Sequence, residues 1–145
     1  MGSDAIVDIA TLTGASLMPL GQLTAALSGN DQPLVDRVRA AAALTDEQVW
    51  QLPPEPQHRK QLDSDIADIS NLGGKYAGAT TAALFLADFV GSTPWAHLDI
   101  AGTMHTDTDD LWRSKGATGS GIRILIEIAR SFASGQAAPV PLSAG

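Results

Sequence analysis

The sequence predicts an α/β fold in which a mixed β-sheet is flanked by helices. Two apolar segments, Ala5 to Leu12 and Trp95 to Ala101, have the length and composition of strands that are buried on both faces of a parallel or mixed sheet. Between them, Leu34, Val38 and Ala41 recur at the spacing of one helix face. This helix is therefore expected to lie on the sheet.

The chain of 145 residues is long enough for one domain, which we expect to occupy residues 1–132. The small, proline-containing tail 133–145 is expected to be disordered. Hydrophobic residues make up 44% of the chain and charged residues 17%, a balance typical of globular proteins. Because only 5% of the residues are aromatic, the core must consist mostly of Ala, Leu, Ile and Val.

Charge and cysteine content exclude several classes of function. The formal net charge is −7 and no cationic run is present, so we expect no nucleic-acid partner. The chain has no cysteine, which excludes disulfide and thiol chemistry and fits a reducing, cytoplasmic location. The sequence shows no secretory signal and no apolar run near the ~20 residues of a membrane span, so no membrane partner is expected.

Local patterns predict the elements of the first half. The sequence does not decide between helix and strand for Val49 to Leu52, because Thr45 and Gln48 match a helix capping box while Pro53 favours an extended segment. The other predicted elements are a helical turn over Ala15 to Leu20, a short strand over Leu23 to Leu27, and a helix that is capped by Asn30 or Asp31 and continues to Leu44.

The second half should contain two further helices and a long loop. The helix Ala79 to Val90 is so apolar that it should be covered on most sides, and the helix Ile122 to Phe132 should direct Leu125, Ile128 and Ala129 inward. The remaining predictions are a stiff connector over Pro53 to Pro56, a short exposed helix over Gln57 to Asp65, a brief strand over Ile66 to Ile69, a loop over Gly73 to Gly78 and a polar loop over Thr103 to Gly121.

His97, Asp99, His105 and Asp107 form a candidate metal site, because alternate strand residues share a face and these ligand types suit zinc or manganese. The alternative, which we favour, is that His97 and Asp99 are satisfied by backbone groups while Asp107, Asp109 and Asp110 lie in a solvated loop. The loop Gly116 to Gly121 could bind an anion, although a structural glycine turn is the favoured interpretation.

The segments Thr11 to Gly14 and Ala101 to Met104 each follow a predicted strand, where ligands usually bind in an open α/β sheet. Loops at the same edge of a sheet can converge, so together they predict one wall of a cleft. No G-x-S-x-G elbow is present, which makes hydrolysis by a serine triad improbable.

Several segments resemble the leucyl aminopeptidase (cytosol aminopeptidase) family, in the family's order and over residues 5 to about 132. They are Asp8 to Ala15 (D-I-A-T-L-T-G-A), Val49 to Pro53, Asp63 to Asn71 (D-S-D-I-A-D-I-S-N), Gly78 to Ala83, Trp95 to Gly102 (W-A-H-L-D-I-A-G) and Gly116 to Gly119.

The resemblance implies the C-terminal portion of a zinc-peptidase-like three-layer domain. Family members are metallo-exopeptidases that release N-terminal residues from peptides, prefer Leu, use two divalent ions (zinc, manganese or magnesium) and are usually hexamers. The resemblance also implies that His97 and Asp99 are buried positions supporting the site from behind. It places the Gly116 turn near subunit contacts.

The family's metal ligands and catalytic arginine lie in an N-T-D-A-E-G-R motif, and its catalytic lysine lies further upstream. No position from Met1 to Gly145 matches these residues. The expectation is therefore a truncated chain that binds no metal and has no peptidase activity alone. A central strand that starts as early as Ala5 favours the same interpretation.

Substrate-binding positions do carry over from the family. The residues that match the pocket for the substrate's N-terminal side chain, or the backbone groups that hydrogen-bond the substrate, are Thr11, Leu12, Gly14, Leu72, Ala101 and Met104. The alternative function is a non-catalytic interaction module that binds intact aminopeptidase subunits.

Overall fold

The computed structural model describes residues 2–109 and 113–133. Its strands are β1 (Ile6–Ala10), β2 (Thr24–Gly29), β3 (Gln48–Gln51), β4 (Trp95–Asp99), β5 (His105–Thr106) and β6 (Gly116–Ala117). Its α-helices are α1 (Leu17–Leu20), α2 (Gln32–Thr45), α3 (Gly78–Val90) and α4 (Ile122–Ala133). Two 3-10 segments, Gly14–Ser16 and Pro56–Leu62, complete the described elements.

Four strands form one mixed sheet in the order β1-β4-β2-β3, which confirms the predicted fold class. β4 pairs parallel with β1 and antiparallel with β2, and β2 pairs parallel with β3. β4 is the central strand, and all five of its residues are buried. β1 is an edge strand of the described sheet and only half-buried, so a central position for the strand that begins near Ala5 stays a prediction for the whole protein.

The two faces of β4 pack against different layers. Ala96 and Leu98 join a core formed with Leu27 of β2 and the inner faces of α2 and α4. Because strand residues alternate, Trp95 and His97 point to the opposite face, where α3 packs against β2 and β4. The result is three layers with the sheet in the middle.

Helix α2 forms where its capping signals predict. The Asp31 side chain accepts a hydrogen bond from the Leu34 amide at 2.8 Å, which satisfies one of the free N–H groups of the first turn. Asp46 ends the helix with a left-handed backbone, φ 55°. The next residue, Glu47, accepts hydrogen bonds from the amides of Gly121 at 2.8 Å and Ile124 at 3.2 Å. It therefore caps α4 from a distant part of the chain.

Several predicted elements differ from the structure. Val49 to Leu52 is extended and supplies β3, because β2 offers a parallel partner and Pro53 disfavours a helix. The predicted helix Gln57 to Asp65 is a 3-10 segment that starts at Pro56, and its last residue, Leu62, is buried. The predicted strand Ile66 to Ile69 does not form, and Ile66 is 97% exposed.

Helix α4 and the C-terminal region need similar corrections, whereas α3 does not. α3 buries Thr81, Ala83 and Leu84 and exposes only Asp88 and Phe89, so its predicted coverage on most sides agrees with the structure. α4 buries Ile124 and Ile128, whereas Ala129 is exposed. The polar loop after Thr103 contains the β5–β6 ribbon. Ala133, the first residue of the tail predicted to be disordered, is instead the last residue of α4, and residues 134–145 lie outside the described residues. No helix of the described part is long and apolar enough to cross a membrane.

Edge strands and exposed apolar side chains predict that the purified chain associates. β1 and β3 both carry one edge without a strand partner in the described sheet, and Trp50 of β3 is exposed. We expect light scattering to give a mass above the 15.0 kDa of one chain, and the Trp50→Lys substitution to lower it. Gln48→Lys, which adds the same charge to the same strand without removing an apolar side chain, is the matched control. A monodisperse monomer would contradict the prediction.

Candidate functional site

Two loops meet where β1 and β4 end. These strands run parallel, so their carboxyl ends lie at one edge of the sheet. The loop of residues 11–14 follows β1, and the loop of residues 100–104 follows β4. The Ile100 amide donates to the Ala10 carbonyl oxygen at 2.9 Å, so the strand pairing continues into the loops.

Asp99, the last residue of β4, holds the two loops together. Its Oδ1 accepts hydrogen bonds from the amides of Leu12 and Ala101, each at 3.1 Å. Its Oδ2 accepts from the Thr13 amide at 3.2 Å and from the Thr13 hydroxyl at 2.6 Å. The residue is only 3% exposed, so these donors provide the hydrogen bonds that water would otherwise give the carboxylate. The predicted convergence of the loops is confirmed.

The outer surface of this junction is open and partly apolar. Leu12 is 38% exposed and Met104 is 41% exposed. A Cβ atom placed on Gly14 would meet no atom within 4 Å. By contrast, a Cβ atom on Gly102 would collide with the Gly21 carbonyl oxygen, so glycine allows this loop to pack against the end of α1.

Leu72 lies on a different loop. It is 75% exposed, and its backbone contacts are with the Ser70 hydroxyl of the same loop. The next residue, Gly73, lies close to the Thr81 side chain of α3, since a Cβ atom on Gly73 would come within 3.0 Å of it. The structure thus brings the loops of Thr11, Leu12, Gly14, Ala101 and Met104 together, while a shared pocket with Leu72 stays a prediction.

The proposed metal site of His97, Asp99, His105 and Asp107 does not form. Asp99 accepts from backbone amides and from the Thr13 hydroxyl, which largely agrees with the alternative interpretation. The prediction that backbone groups also satisfy His97 was wrong, because its Nδ1 contacts a side-chain carboxylate. His97 is engaged with Asp8, and the exposed His105 lies 3.7 Å from Asp107. Across residues 2–109 and 113–133, no three His, Cys, Asp or Glu side chains are placed to hold a metal ion. The described residues therefore do not fit a dinuclear centre by themselves.

A second set of polar contacts connects β1 to β4 on the same face as Asp99, between the half-buried Asp8 and the buried His97 and Trp95. The Asp8 carboxylate contacts His97 Nδ1 at 2.5 Å and accepts a hydrogen bond from Trp95 Nε1 at 2.5 Å. Partial burial raises the pKa of Asp8, but the hydrogen bonds from His97 and Trp95 and the charge of His97 outweigh it and lower the pKa below its usual value. His97 Nε2 is buried with no hydrogen-bond partner.

The loop Gly116 to Gly121 is a structural turn. Gly116, Gly119 and Gly121 all have positive φ, which side chains with a Cβ rarely adopt. The amides of Gly121 and Ile124 already donate to the Glu47 carboxylate, so they are not free to bind an anion. A cavity of about 180 Å³ lies between this loop and β2, with Ile100 and Thr118 in its lining, but it does not include Leu12, Gly14 or Met104.

The motifs that form the loop junction match a known family over most of the chain. The cytosol aminopeptidase family, catalytic domain, matches residues 1–126. The chain belongs to this family. The resemblance stated from the sequence is therefore confirmed, and the burial of His97 and Asp99 agrees with the supporting positions that it implied.

Named cytosol aminopeptidases are similar in sequence. A probable cytosol aminopeptidase of Alkaliphilus metalliredigens is 47% identical over 132 residues, which are 91% of this chain and 26% of the relative. One from Acidobacterium capsulatum is 45% identical over 133 residues, or 92% of this chain and 26% of the relative. The chain thus spans about a quarter of the length of the curated cytosol aminopeptidases that it matches.

Solved structures of cytosol aminopeptidase relatives share the fold. The bottromycin maturation enzyme BotP in complex with Mn is 40% identical, with a TM-score of 0.85 over 90% of this chain and 29% of that one. A lysine-to-glutamate mutant of tomato leucine aminopeptidase is 37% identical, with a TM-score of 0.80 over 86% of this chain and 24% of that one.

The lowered pKa of Asp8 predicts a pH-dependent contribution to stability. A depressed folded-state pKa means that the ionised carboxylate stabilises the fold at pH values above the unfolded-state pKa of about 4. This stabilisation is lost as the pH falls through the lower folded-state pKa. Asp8→Asn should therefore lower the urea midpoint at pH 7, and its difference from the unmodified chain should shrink below about pH 4.

Urea unfolding between pH 7 and acid pH measures this effect. Asp65→Asn, a substitution of an exposed carboxylate, is the control and should show little difference at either pH. A stability difference for Asp8→Asn that stays constant across the range would contradict the assignment.

Proposed function

We propose that this chain supplies part of the substrate-binding wall of a metalloaminopeptidase that releases N-terminal amino acids from peptides and prefers Leu. One observation carries the proposal. In a member of the cytosol aminopeptidase family, the loops containing Leu12, Gly14, Ala101 and Met104 are held side by side by one buried carboxylate.

The chemistry of this surface suits an apolar side chain at the end of a peptide. Met104 and Leu12 present half-exposed apolar groups, and Gly14 leaves the space beside the backbone open. Burying a Leu side chain in such surroundings contributes about 1.5–3 kcal/mol. Backbone groups of Leu12 and Gly14 would then hydrogen-bond the substrate. Thr11 and Leu72 complete the proposed set.

The proposed activity needs metal ions that the described residues are not arranged to hold. We propose two divalent ions, manganese or zinc, bound by other parts of the whole protein. The structure of the relative BotP in complex with Mn supports manganese as one choice. In two-metal hydrolases such ions activate water and polarise the scissile carbonyl. The isolated chain is accordingly proposed to be inactive.

Location and assembly are also proposals. The relatives' description as cytosol aminopeptidases and the lack of cysteine support a cytoplasmic protein. Exposed apolar side chains on α4, among them Ile122, Ile126 and Phe132, support burial in a homo-oligomer, for which the family resemblance suggests a hexamer. The net charge of −7 supports the absence of a nucleic-acid partner. The comparisons do not favour the alternative, a non-catalytic interaction module.

A chimeric enzyme tests the proposed function. In it, this chain replaces the matching quarter of the Alkaliphilus metalliredigens relative. We expect the chimera to hydrolyse leucine p-nitroanilide with added manganese. Met104→Ala should lower kcat/KM for this substrate about tenfold, since removing about 1.4 kcal/mol of apolar contact changes affinity by that factor. Met18→Ala, at another exposed methionine, is the matched control. An inactive chimera, or equal effects of both substitutions, would contradict the proposal.

The chain alone should show no turnover of leucine p-nitroanilide with manganese or zinc. The reason is that the described residues hold no arrangement of metal-ligating side chains. Robust turnover by the pure chain, removed by a chelator, would overturn this expectation. Stable co-purification of the chain with an intact aminopeptidase would favour the interaction module instead.

A further inference from the structure

The hydrogen bonds of Asp99 do more than join two loops. We infer that Asp99 is a positioning residue for substrate binding, because it turns the carbonyl oxygen of Leu12 outward, where it can accept a hydrogen bond from an N–H group at the amino end of a peptide. This inference rests on the proposed function. It assigns a role to a side chain that lies behind the binding surface and does not contact substrate.

Peptide geometry gives the direction of the Leu12 carbonyl. The Leu12 carbonyl and the Thr13 amide belong to one planar trans peptide, so the C=O and N–H bonds point in opposite directions. The Thr13 amide donates to the buried Asp99 carboxylate at 3.2 Å. The Leu12 oxygen must therefore point away from the buried Asp99 carboxylate, and Leu12 itself is 38% exposed.

The Asp99 carboxylate also fixes the distance between the Leu12 carbonyl oxygen and the loop that carries Ala101 and Met104. Asp99 Oδ1 binds the amides of Leu12 and Ala101 together, each at 3.1 Å. The loop beyond Ala101 is held by Met104, whose amide donates to the Ile100 carbonyl oxygen at 2.9 Å. One buried side chain thus sets where a peptide's amino end and its first side chain would both be held.

Burial makes the arrangement rigid. A carboxylate that is 3% exposed has little access to water, so losing its protein donors would leave it buried without hydrogen bonds at a large cost in free energy. Hydrogen bonds to a charged acceptor are also stronger than neutral ones. The loop of residues 11–14 therefore has one favoured orientation before any substrate binds, which reduces the ordering cost of binding.

Asp99→Asn changes this group by one atom and should release the Leu12 carbonyl. The amide oxygen can still accept from Leu12 and Ala101, but the NH₂ group then faces the Thr13 amide, so two donors meet. The Thr13 amide keeps only its longer contact, 3.4 Å to Oδ1 in the unmodified chain, and loses the shorter one to Oδ2, so the peptide between Leu12 and Thr13 is held less firmly. Binding of substrate should weaken more than the chemical step.

The test measures KM and kcat of the chimera with leucine p-nitroanilide. Asp99→Asn should raise KM about tenfold and change kcat less than about threefold, the pattern of a lost binding interaction. Thr13→Val removes the hydroxyl donor to Asp99 and, with it, the acceptor that this hydroxyl offers to the Ser16 amide, and it should raise KM by a smaller factor of about three. If the Asp99→Asn chimera does not fold, the KM of the Thr13→Val chimera decides the question, and its melting temperature is expected to equal that of the parent chimera.

Asp31→Ala is the matched control for simple loss of stability. It removes the α2 cap, far from the loops, and should lower the melting temperature without raising KM. An unchanged KM in both loop variants of an active chimera would overturn the inference and leave the proposed function standing. An inactive parent chimera would overturn the proposed function and the inference with it.

The chain itself gives a second readout that does not depend on activity. Amide hydrogen exchange should show Thr13 protected in the unmodified chain and exchanging at least about tenfold faster in Asp99→Asn, while the β4 amides stay protected. Equal Thr13 exchange in the two chains would contradict the assigned orientation.

Discussion

A buried carboxylate must find hydrogen-bond donors, and this requirement shapes the functional end of the sheet. Asp99 closes the central strand at a position that is almost fully buried. The donors that satisfy it come from two loops. Leu12 and Thr13, which lie on the first loop, are 87 and 86 residues away from Asp99 in the sequence. The cost of leaving such a charge unpaired is large enough to fix both loops. The geometry of the candidate site follows from this one side chain.

Side chains of β4 point alternately to the two faces of the sheet, so this strand contributes to two different layers. Ala96 and Leu98 face α2 and α4 and form a dry core. Trp95 and His97 face α3, and with Asp8 they form a polar connection between β4 and the edge strand β1. The hydrophobic cluster of Ala96 and Leu98 thus lies on one face, whereas the polar groups that shape the loops lie on the other.

The sequence was sufficient for elements whose signals are local. The strands around Ile6–Ala10 and Trp95–Asp99 follow from apolar runs, and α2 follows from the Asp31 cap and its one-face spacing. The family resemblance also placed five of the six site residues on loops that the structure brings together. Leu72 lies on a separate loop and is 75% exposed, so its place in a shared pocket stays a prediction.

What the sequence missed depends on distant partners. β3 forms because β2 is available as its neighbour, and no local pattern decided between strand and helix there. The caps that Glu47 provides for α4 and the donors that surround Asp99 join residues 74 to 87 positions apart. In α4, Ile124 is buried in place of the expected Leu125, because a small rotation of the helix suffices to exchange neighbouring positions.

A crystal structure of the chimeric enzyme with a non-hydrolysable leucine-containing ligand would test the proposed wall most directly. The ligand's leucine side chain should lie within about 4–4.5 Å of Met104 and Ala101, with a ligand nitrogen about 3 Å from the Leu12 carbonyl oxygen. A ligand bound at the metal ions with its leucine side chain directed away from both loops would contradict the proposal.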